Sequence, residues 1–345
     1  MRAENLFNFE TAGSPPSAVR YIPPDRSVWT GRVDAEPDGG DLRYHQVVKT
    51  LDLRAPDADS VPAAPFHSLL GFECDLGVRR NQGRPGAAEG PLEIRRRLAN
   101  LTLPQGSSSA LYDTGSVQVV GEPTPENLQK AQEALEACVR RLHAMGSIPI
   151  LLGGGHEMAK GHALGTFKAF PDARIGILNV DAHFDLRDDA GGPSSGTPFT
   201  EIHAYQAARN RPFDYVVLGI QPASTTQALF RKALRLGCRH MTASEIQQEG
   251  SFPRLSHLVH GFAAPLDGVI LSVCMDAFDS AYAPGVSAPA SGGLSPGQVF
   301  GIVRTACDTQ KVIGFEIAET SPRLEIGRRT SRLAAALVDV FLRSR

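Results

Sequence analysis

The sequence lacks the features that mark membrane proteins and general nucleic-acid binders. Its 345 residues include 35 Lys and Arg against 37 Asp and Glu, a net charge of −2. Without a basic excess to neutralise phosphates, a broad surface for nucleic acid or anionic lipid is excluded. No apolar run approaches the roughly 20 residues that cross a bilayer. The first residues show no basic segment followed by an apolar stretch, so we expect no secretory signal and a cytoplasmic protein.

Cysteine is also scarce, and the five cysteines form no CxxC pair. An odd, dispersed set fits a reducing compartment better than a disulfide framework. Most of them are therefore expected to be small buried side chains. They are Cys74, Cys138, Cys238, Cys274 and Cys307.

The chain divides into two parts with different patterns. Residues 1–62 are rich in proline, glycine and aspartate and show no sustained periodicity, which predicts an irregular N-terminal arm packed on the rest. Residues 63–345 alternate short apolar runs with helical segments, which predicts one α/β domain with a doubly wound, mainly parallel sheet. Several runs are apolar throughout, as in strands covered on both faces. The runs are Leu69–Cys74, Ile148–Leu152, Ile175–Val180, Tyr215–Ile220, Val269–Cys274 and Val312–Ile317.

Polar residues follow four of these runs directly. In parallel sheets, ligands bind beyond the carboxyl ends of the strands, so we expect these side chains to share one rim. Two histidines, three aspartates, a cysteine and a glutamate reach it: His156, Asp181, His183, Asp185, Cys274, Asp276 and Glu319.

The segment with Asp181, His183 and Asp185 carries the strongest chemical signal. Alternate residues of an extended segment project to the same side, so all three can converge on one point. The simpler alternative is a polar loop with a helix-capping aspartate. Together with His156 and Asp276 at other strand ends, the pattern favours a metal site. Mixed carboxylate and imidazole ligands suit Mn²⁺, Zn²⁺ or Fe²⁺ better than Ca²⁺.

Five motifs, in order and spacing, resemble the arginase/agmatinase ureohydrolase family. They are GGGHE (153–157), NVDAHFDLR (179–187), SSGTPF (194–199), SVCMDAFD (272–279) and EIAETSP (316–322). The agreement extends from about residue 68 to the C-terminus. Two further segments, APGVSAP (283–289) and GVRRNQGRPGAAEGP (77–91), resemble most closely its formimidoylglutamase branch.

The resemblance implies a three-layer α/β/α domain around a sheet of about eight strands, with two Mn²⁺ per chain at the strand ends. One ion would be held by His156, Asp181, Asp185 and the residue at position 274, and the other by Asp181, His183, Asp276 and again position 274. The family usually has aspartate at that last position, whereas this chain has Cys274.

Cys274 puts the occupancy of the manganese pair in doubt. A thiolate is a softer ligand than a carboxylate and favours Zn or Fe over Mn. The alternative is that Cys274 is a buried thiol that binds nothing.

The activity implied by the resemblance is hydrolysis of N-formimidoyl-L-glutamate to L-glutamate and formamide in histidine degradation. Asp185 would carry a proton to the leaving nitrogen, and Glu319 would accept hydrogen bonds from the amidinium group. The alternative for Glu319 is an acidic residue that only complements a helix N-terminus. Two other functions stay open: a related amidinohydrolase acting on agmatine or guanidinobutyrate, and a metal-poor, inactive homologue that serves as a binding protein.

A substrate with two carboxylates requires arginine, amide or hydroxyl donors near the metals. Each arginine could instead be a surface cation or a cap on backbone carbonyls. We expect a small-molecule substrate, no nucleic-acid or membrane partner, and a homo-oligomer. The candidate substrate-binding residues are Arg80, Asn81, Arg84, Arg187, Ser194, Ser195 and Thr197.

Overall fold

The computed structural model describes residues 19–34, 42–54, 63–103 and 110–345. Within these ranges the chain forms one ten-stranded sheet covered by helices. The strands are β1 (Val19–Ile22), β2 (Lys49–Thr50), β3 (Phe66–Glu73), β4 (Leu111–Val119), β5 (Ser147–Leu152), β6 (Ile175–Val180), β7 (Tyr215–Ile220), β8 (Arg239–Thr242), β9 (Gly268–Cys274) and β10 (Val312–Ala318).

The helices cover both faces of the sheet and bury alternate strand residues. Leu69 and Ile150 pack with one set of helices, while the next residues along, Leu70 and Leu151, pack with the other set. In the described residues no helix combines the length and apolarity needed to cross a membrane. The helices are α1 (Tyr44–Val47), α2 (Leu76–Arg80), α3 (Gly90–Leu98), α4 (Pro125–Ala144), α5 (Met158–Ala169), α6 (Pro198–Ala207), α7 (Gln227–Arg235), α8 (Ala243–Gln247), α9 (Ser251–Ala263), α10 (Pro296–Asp308) and α11 (Arg329–Arg343).

The sheet order confirms the predicted mainly parallel α/β architecture. The strands run β1-β4-β3-β5-β10-β9-β6-β7-β8, and β2 pairs beside β4. Only β1 pairs antiparallel among the described strands. The sheet has ten strands instead of about eight, because two short strands from the first 54 residues join the edge next to β4.

The sequence predicts an irregular N-terminal arm over residues 1–62, but its described parts contain two short strands and a short helix. Val19 and Tyr21 of β1 are buried while Arg20 is exposed, and this strand pairs with β4 through Val19 and Val119. Such a short strand is stabilised by its tertiary partner, which no local periodicity reveals. Residues 1–18, 35–41 and 55–62 of the arm, including its expected boundary, lie outside the described residues.

The four strands that carry the candidate site are consecutive neighbours in the middle of the sheet. Their order is β5-β10-β9-β6, and all three pairings are parallel. The carboxyl ends of neighbouring parallel strands lie at the same edge, so residues far apart in sequence meet there. The fold therefore places the motif residues in one region without any contribution from the arm.

A buried ion pair within the domain also binds the N-terminal arm through a hydrogen bond from Trp29. The Arg95 guanidinium contacts Asp113 at 2.9 Å, and the exposed fractions of these two side chains are 5% and 2%. The indole Nε1 of Trp29 donates to the same carboxylate at 2.8 Å. Arg95 also donates to the carbonyl oxygen of Gly115 at 2.6 Å. Asp113 thus joins α3, β4 and the arm through one carboxylate.

Replacing this carboxylate tests how much the junction stabilises the protein. Asp113→Ala is expected to lower the free energy of unfolding by about 3–5 kcal/mol, because it leaves the Arg95 charge buried and unpaired. Urea unfolding followed by the fluorescence of Trp29, the single tryptophan, measures the loss. Asp52→Ala is the control, since it removes the exposed pair with Arg54 and should cost less than about 1 kcal/mol. Equal losses in both variants would contradict this account.

Candidate metal centre

A cavity of about 300 Å³ opens at the carboxyl ends of the central strands. It is lined by residues that follow β5, β6, β9 and β10, together with residues of the loop after α2. Six of the seven polar residues expected at this rim line the cavity: His156, His183, Asp185, Cys274, Asp276 and Glu319. The seventh, Asp181, lies just beneath them and is fully buried.

Glycines let the loop after β5 pack closely enough to deliver His156. A Cβ atom on Gly154 would lie 2.0 Å from the carbonyl oxygen of Cys74, and one on Gly155 would lie 2.0 Å from a carboxylate oxygen of Glu157. The backbone N–H of His156 then donates to Glu319 at 3.1 Å. The glycine-rich motif is therefore a packing requirement of this loop.

Asp181 stands between two histidines. His156 Nδ1 lies 2.9 Å from Oδ2 of Asp181 and 3.1 Å from Oδ2 of Asp185. On the other side, His183 Nδ1 lies 3.5 Å from Oδ1 of Asp181 and 3.3 Å from Oδ2 of Asp276. The two oxygens of one buried carboxylate thus face two different imidazoles, an arrangement that suits two adjacent cations.

Two groups of donor atoms result, and they share Asp181. The first contains His156, Asp181 and Cys274, and the second contains Asp181, His183 and Asp276. Within each group the donor atoms lie within 4.8 Å of one another. Asp185 belongs to neither group, although it contacts His156 Nδ1.

The donor atoms fit divalent cations. His156 Nδ1, one oxygen of Asp276 and one oxygen of Glu319 are buried and have no hydrogen-bond partner among the described residues. Buried polar atoms are nearly always paired, so unpaired ones converging on one cavity indicate a ligand. The cluster also concentrates several carboxylates, and burying such charges is costly unless cations accompany them.

The environment separates the pKa values of the carboxyl groups. Burial acts to raise the pKa of Asp181, but the adjacent imidazoles of His156 and His183 hold it below its ordinary value. Burial and the charge of Asp181 raise the pKa of Asp185 to about 6. Burial and two neighbouring carboxylates raise the pKa of Glu319 well above its usual range. Of these three carboxyl groups, Asp185 and Glu319 are therefore the two whose pKa values are shifted toward the protonated form.

Cys274 is buried at the end of β9 and lies with the first group only. The family resemblance implied that position 274 contacts both metals. A carboxylate can reach two ions with its two oxygens, whereas cysteine offers one sulfur on a short side chain. Burial and the surrounding carboxylates raise the pKa of the Cys274 thiol well above its ordinary value. A nearby cation favours the thiolate, so coordination by Cys274 would release a proton.

The candidate substrate-binding residues divide into two sets. Asn81, Arg84, Arg187 and Ser195 line the cavity. Arg80, Ser194 and Thr197 do not line it, and substrate binding by these three stays a prediction. Their donors and acceptors are used within the surrounding loops.

The Arg80 guanidinium caps backbone carbonyls. It donates to the carbonyl oxygens of Pro193, Pro123 and Gly191 at 2.6, 3.2 and 2.6 Å. The Ser194 hydroxyl accepts from the N–H of Gly196 at 3.3 Å. The loop is thus held from both sides, which positions Ser195 at the cavity.

The Thr197 hydroxyl also has a partner within the protein, because it donates to Glu201 Oε1 at 2.8 Å at the start of α6. Its role is to shape the first turn of that helix. Like Arg80 and Ser194, it supports the cavity wall from behind.

The two arginines that line the cavity differ in whether their guanidinium groups already have hydrogen-bond partners. Arg84 donates to the carbonyl oxygens of Ser287 and Val286 at 2.9 and 2.7 Å. Within the part of the chain that the structure describes, the Arg187 guanidinium has no hydrogen-bond or ion-pair partner. Arg187 is therefore the cation that remains available to an anionic ligand.

Ser224, Thr225 and Ser287 also line the cavity, and the sequence motifs did not single them out. Thr225 Oγ1 is buried without a partner among the described residues. Both Ser224 and Thr225 follow β7, so the polar residues after the run Tyr215–Ile220 were the available signal. Ser287 lies within the APGVSAP segment, where it accepts the backbone N–H of Arg84 at 2.9 Å.

A parallel α/β sheet with a carboxylate–imidazole cluster at its central strand ends defines a metal-dependent hydrolase class. The model of the arginase family matches residues 67–342, and the chain belongs to this family. A formimidoylglutamase of Geobacillus thermodenitrificans (strain NG80-2) is 41% identical over 317 residues, which cover 92% of this chain and 95% of the relative. A formimidoylglutamase of Aromatoleum aromaticum is 42% identical over 322 residues, covering 91% of each.

Solved structures agree in fold. The formimidoylglutamase from Bacillus subtilis gives a TM-score of 0.77 at 23% identity, covering 91% of this chain and 94% of that chain. The Trypanosoma cruzi formiminoglutamase with Mn²⁺₂ gives a TM-score of 0.71 at 27% identity, covering 84% of this chain and 98% of that chain. The second of these relatives therefore binds a pair of manganese ions.

Proposed function

We propose that the protein hydrolyses N-formimidoyl-L-glutamate to L-glutamate and formamide, a step of histidine degradation. It is a hydrolase that acts on the C–N bonds of linear amidines. The observation that carries the proposal is a cavity that combines two donor groups sharing Asp181 with Arg187 at its wall, whose guanidinium has no partner among the described residues. Two relatives named formimidoylglutamase are 41–42% identical to this chain over more than nine-tenths of its length.

The proposed cofactor is a pair of Mn²⁺ ions. His156, Asp181 and Cys274, with Asp185 beside them, would hold one ion, and Asp181, His183 and Asp276 would hold the other. Such a pair supplies hydroxide as a nucleophile at neutral pH. The cysteine makes the two positions chemically unequal, because it adds a soft ligand to one of them.

Asp185 and Glu319 are the proposed acid–base and recognition groups. The free oxygen of Glu319 faces the cavity and can accept a hydrogen bond from the amidinium of the formimidoyl group. Its backbone has a φ of 67°, a region that non-glycine residues seldom adopt, so the surrounding structure holds it in place. Asp185 lines the same cavity and would deliver a proton to the leaving nitrogen of glutamate.

Arg187 is the proposed anchor of a substrate carboxylate. A guanidinium binds a carboxylate with two parallel hydrogen bonds, which also orients the substrate. Asn81, Ser195 and the unpaired hydroxyl of Thr225 supply further donors along the wall. An unpaired cation at this position would repel a guanidino amine such as agmatine, and this favours the dianionic substrate.

The proposal places the reaction in the cytoplasm, where thiols stay reduced. All five cysteines are free and buried, which fits that compartment. A homo-oligomer is a further expectation, and light scattering after size-exclusion chromatography would test it.

The substrate assignment predicts a preference that can be measured directly. Protein loaded with Mn²⁺ should release formamide from N-formimidoyl-L-glutamate faster than it releases urea from agmatine. Initial rates with both substrates, at equal enzyme and metal, provide the comparison. Faster hydrolysis of agmatine would assign the chain to another amidinohydrolase activity. Absence of both reactions in metal-loaded protein would favour an inactive binding protein.

Arg187→Ala should raise the KM for formimidoylglutamate by about 10- to 100-fold, since a hydrogen bond to a charged group contributes roughly 1.5–3 kcal/mol. Steady-state kinetics at saturating Mn²⁺ measure the change. The control is Arg231→Ala on α7, which removes an exposed arginine outside the cavity lining and should leave KM unchanged. An unaltered KM in the Arg187 variant would remove this residue from the substrate site.

Cys274→Asp should raise the manganese content and the turnover at limiting metal. A carboxylate offers one hard oxygen to each ion, whereas the thiolate offers a single sulfur to one group. The ion held by His183 and Asp276 should be the first lost from the wild type, because Cys274 lies with the other group. Metal per chain and turnover across a Mn²⁺ titration measure both effects, with Cys307→Ala as the control for loss of a buried thiol. Equal occupancy and turnover in wild type and Cys274→Asp would show that position 274 does not limit the site.

A further inference from the structure

A chain of four buried polar side chains extends from the metal centre into the sheet. His156 Nε2 lies 2.8 Å from Ser272 Oγ. Ser272 is the direct partner of Glu316 in the ladder of β9 and β10, and Glu316 Oε2 lies 2.8 Å from His162 Nδ1. Each of these residues is at most 1% exposed. None of Ser272, Glu316 and His162 lines the cavity, so none can contact substrate.

The register of two central strands creates this chain. Ser272 on β9 and Glu316 on β10 are direct partners in the parallel ladder, so their side chains lie side by side on one face. His162 reaches them from α5. A Cβ on Gly314 would lie 2.5 Å from His162 Nε2, so the glycine on β10 leaves the space that this ring occupies.

The hydrogen-bonding capacities of these groups set the direction of the chain. A carboxylate only accepts, so between Ser272 and Glu316 the serine hydroxyl is the donor. The oxygen of Ser272 is then left to accept, and the ring N–H at His156 Nε2 supplies the proton. In the neutral imidazole the proton sits on one nitrogen only, which leaves the lone pair of Nδ1 facing Asp181 and the first metal position.

We propose that Glu316 is a positioning residue of the metal centre, which acts through Ser272 to hold His156 in the tautomer that can bind metal at Nδ1. The proposal rests on the metal centre of the proposed function and is independent of the substrate. Partners of this kind behind a metal-binding histidine fix both its tautomer and its ring orientation.

The burial of Glu316 supports this role over simple packing. A buried carboxylate is costly, and an apolar side chain between strands would stabilise the sheet at least as well. Glu316 accepts from His162 and lies beside Ser272 in the ladder, so it has a potential donor on two sides. The carboxylate therefore directs the hydrogen bonds of its neighbours toward itself.

Glu316→Gln tests the proposal with almost no change in volume. The amide can donate to Ser272, which frees the serine hydroxyl to donate to His156 Nε2 and permits the wrong tautomer. We expect Mn²⁺ affinity to fall 10- to 100-fold, as for other partners of metal ligands. Free Mn²⁺ counted by electron paramagnetic resonance in a titration without substrate measures the affinity.

Variants of two serines separate positioning from packing. Ser272→Ala should weaken Mn²⁺ binding as Glu316→Gln does, while Ser272→Thr keeps the hydroxyl and should stay within about threefold of wild type. Ser68→Ala is the matched control, because it removes a buried hydroxyl 2.7 Å from that of Ser147, on β3 and outside the chain described above. Its Mn²⁺ affinity should remain within twofold of wild type. At saturating Mn²⁺, the KM for substrate should be unchanged in Ser272→Ala.

Wild-type affinity in Glu316→Gln would overturn the proposal, and so would equal weakening in Ser272→Thr and Ser272→Ala. If Glu316→Gln does not fold, the comparison of the two Ser272 variants decides alone. A wild-type protein that binds no Mn²⁺ would refute the proposed metal centre itself. Wild-type binding with unaffected variants would refute only the role of Glu316.

Discussion

The parallel alignment of four central strands is the constraint on which the rest of this structure depends. Because β5, β10, β9 and β6 are neighbours that all end at one edge, their following residues meet without long loops to carry them. The strands themselves are buried on both faces, so their register is set by packing across the whole sheet. The residues of the candidate metal centre are therefore held in fixed positions, as a set of metal ligands requires.

The same convergence concentrates negative charge in a dry region. Asp181 is fully buried, and its carboxylate is held by the backbone N–H of His183 at 2.7 Å and by the amide of Asn179 at 3.1 Å. Asp185 and Glu319 both adopt positive φ, at 47° and 67°. Strain of this kind persists only where the surrounding structure enforces it, and here it lies at the site itself. In the proposed metal centre, cations would compensate both the charge and the unpaired donor atoms, so we expect metal binding to stabilise the fold.

Recognition and chemistry occupy different parts of one cavity. The floor is formed by strand ends that cannot move independently. The walls are formed by loops that Arg80 and Arg84 hold by donating to backbone carbonyls. Arg187 differs, because its guanidinium has no partner among the described residues. A loop-built wall can change its donors without disturbing the floor, which explains how one family framework can accept chemically different amidines.

The sequence by itself determined the fold class, the bounds of β6 and β7, and the residues at the strand ends, because burial on both faces and the polar strand termini leave a local signature. Only the tertiary structure decided which arginine has no partner among the described residues, since Arg80 and Arg187 look alike until the carbonyls around Arg80 are in place. It also decided that Cys274 joins one donor group, that β1 and β2 extend the sheet, and that Ser272 faces Glu316. Each of these depends on the partner that a residue meets across the sheet or between loops. Local periodicity specifies which face a side chain occupies, but it carries no information on that partner.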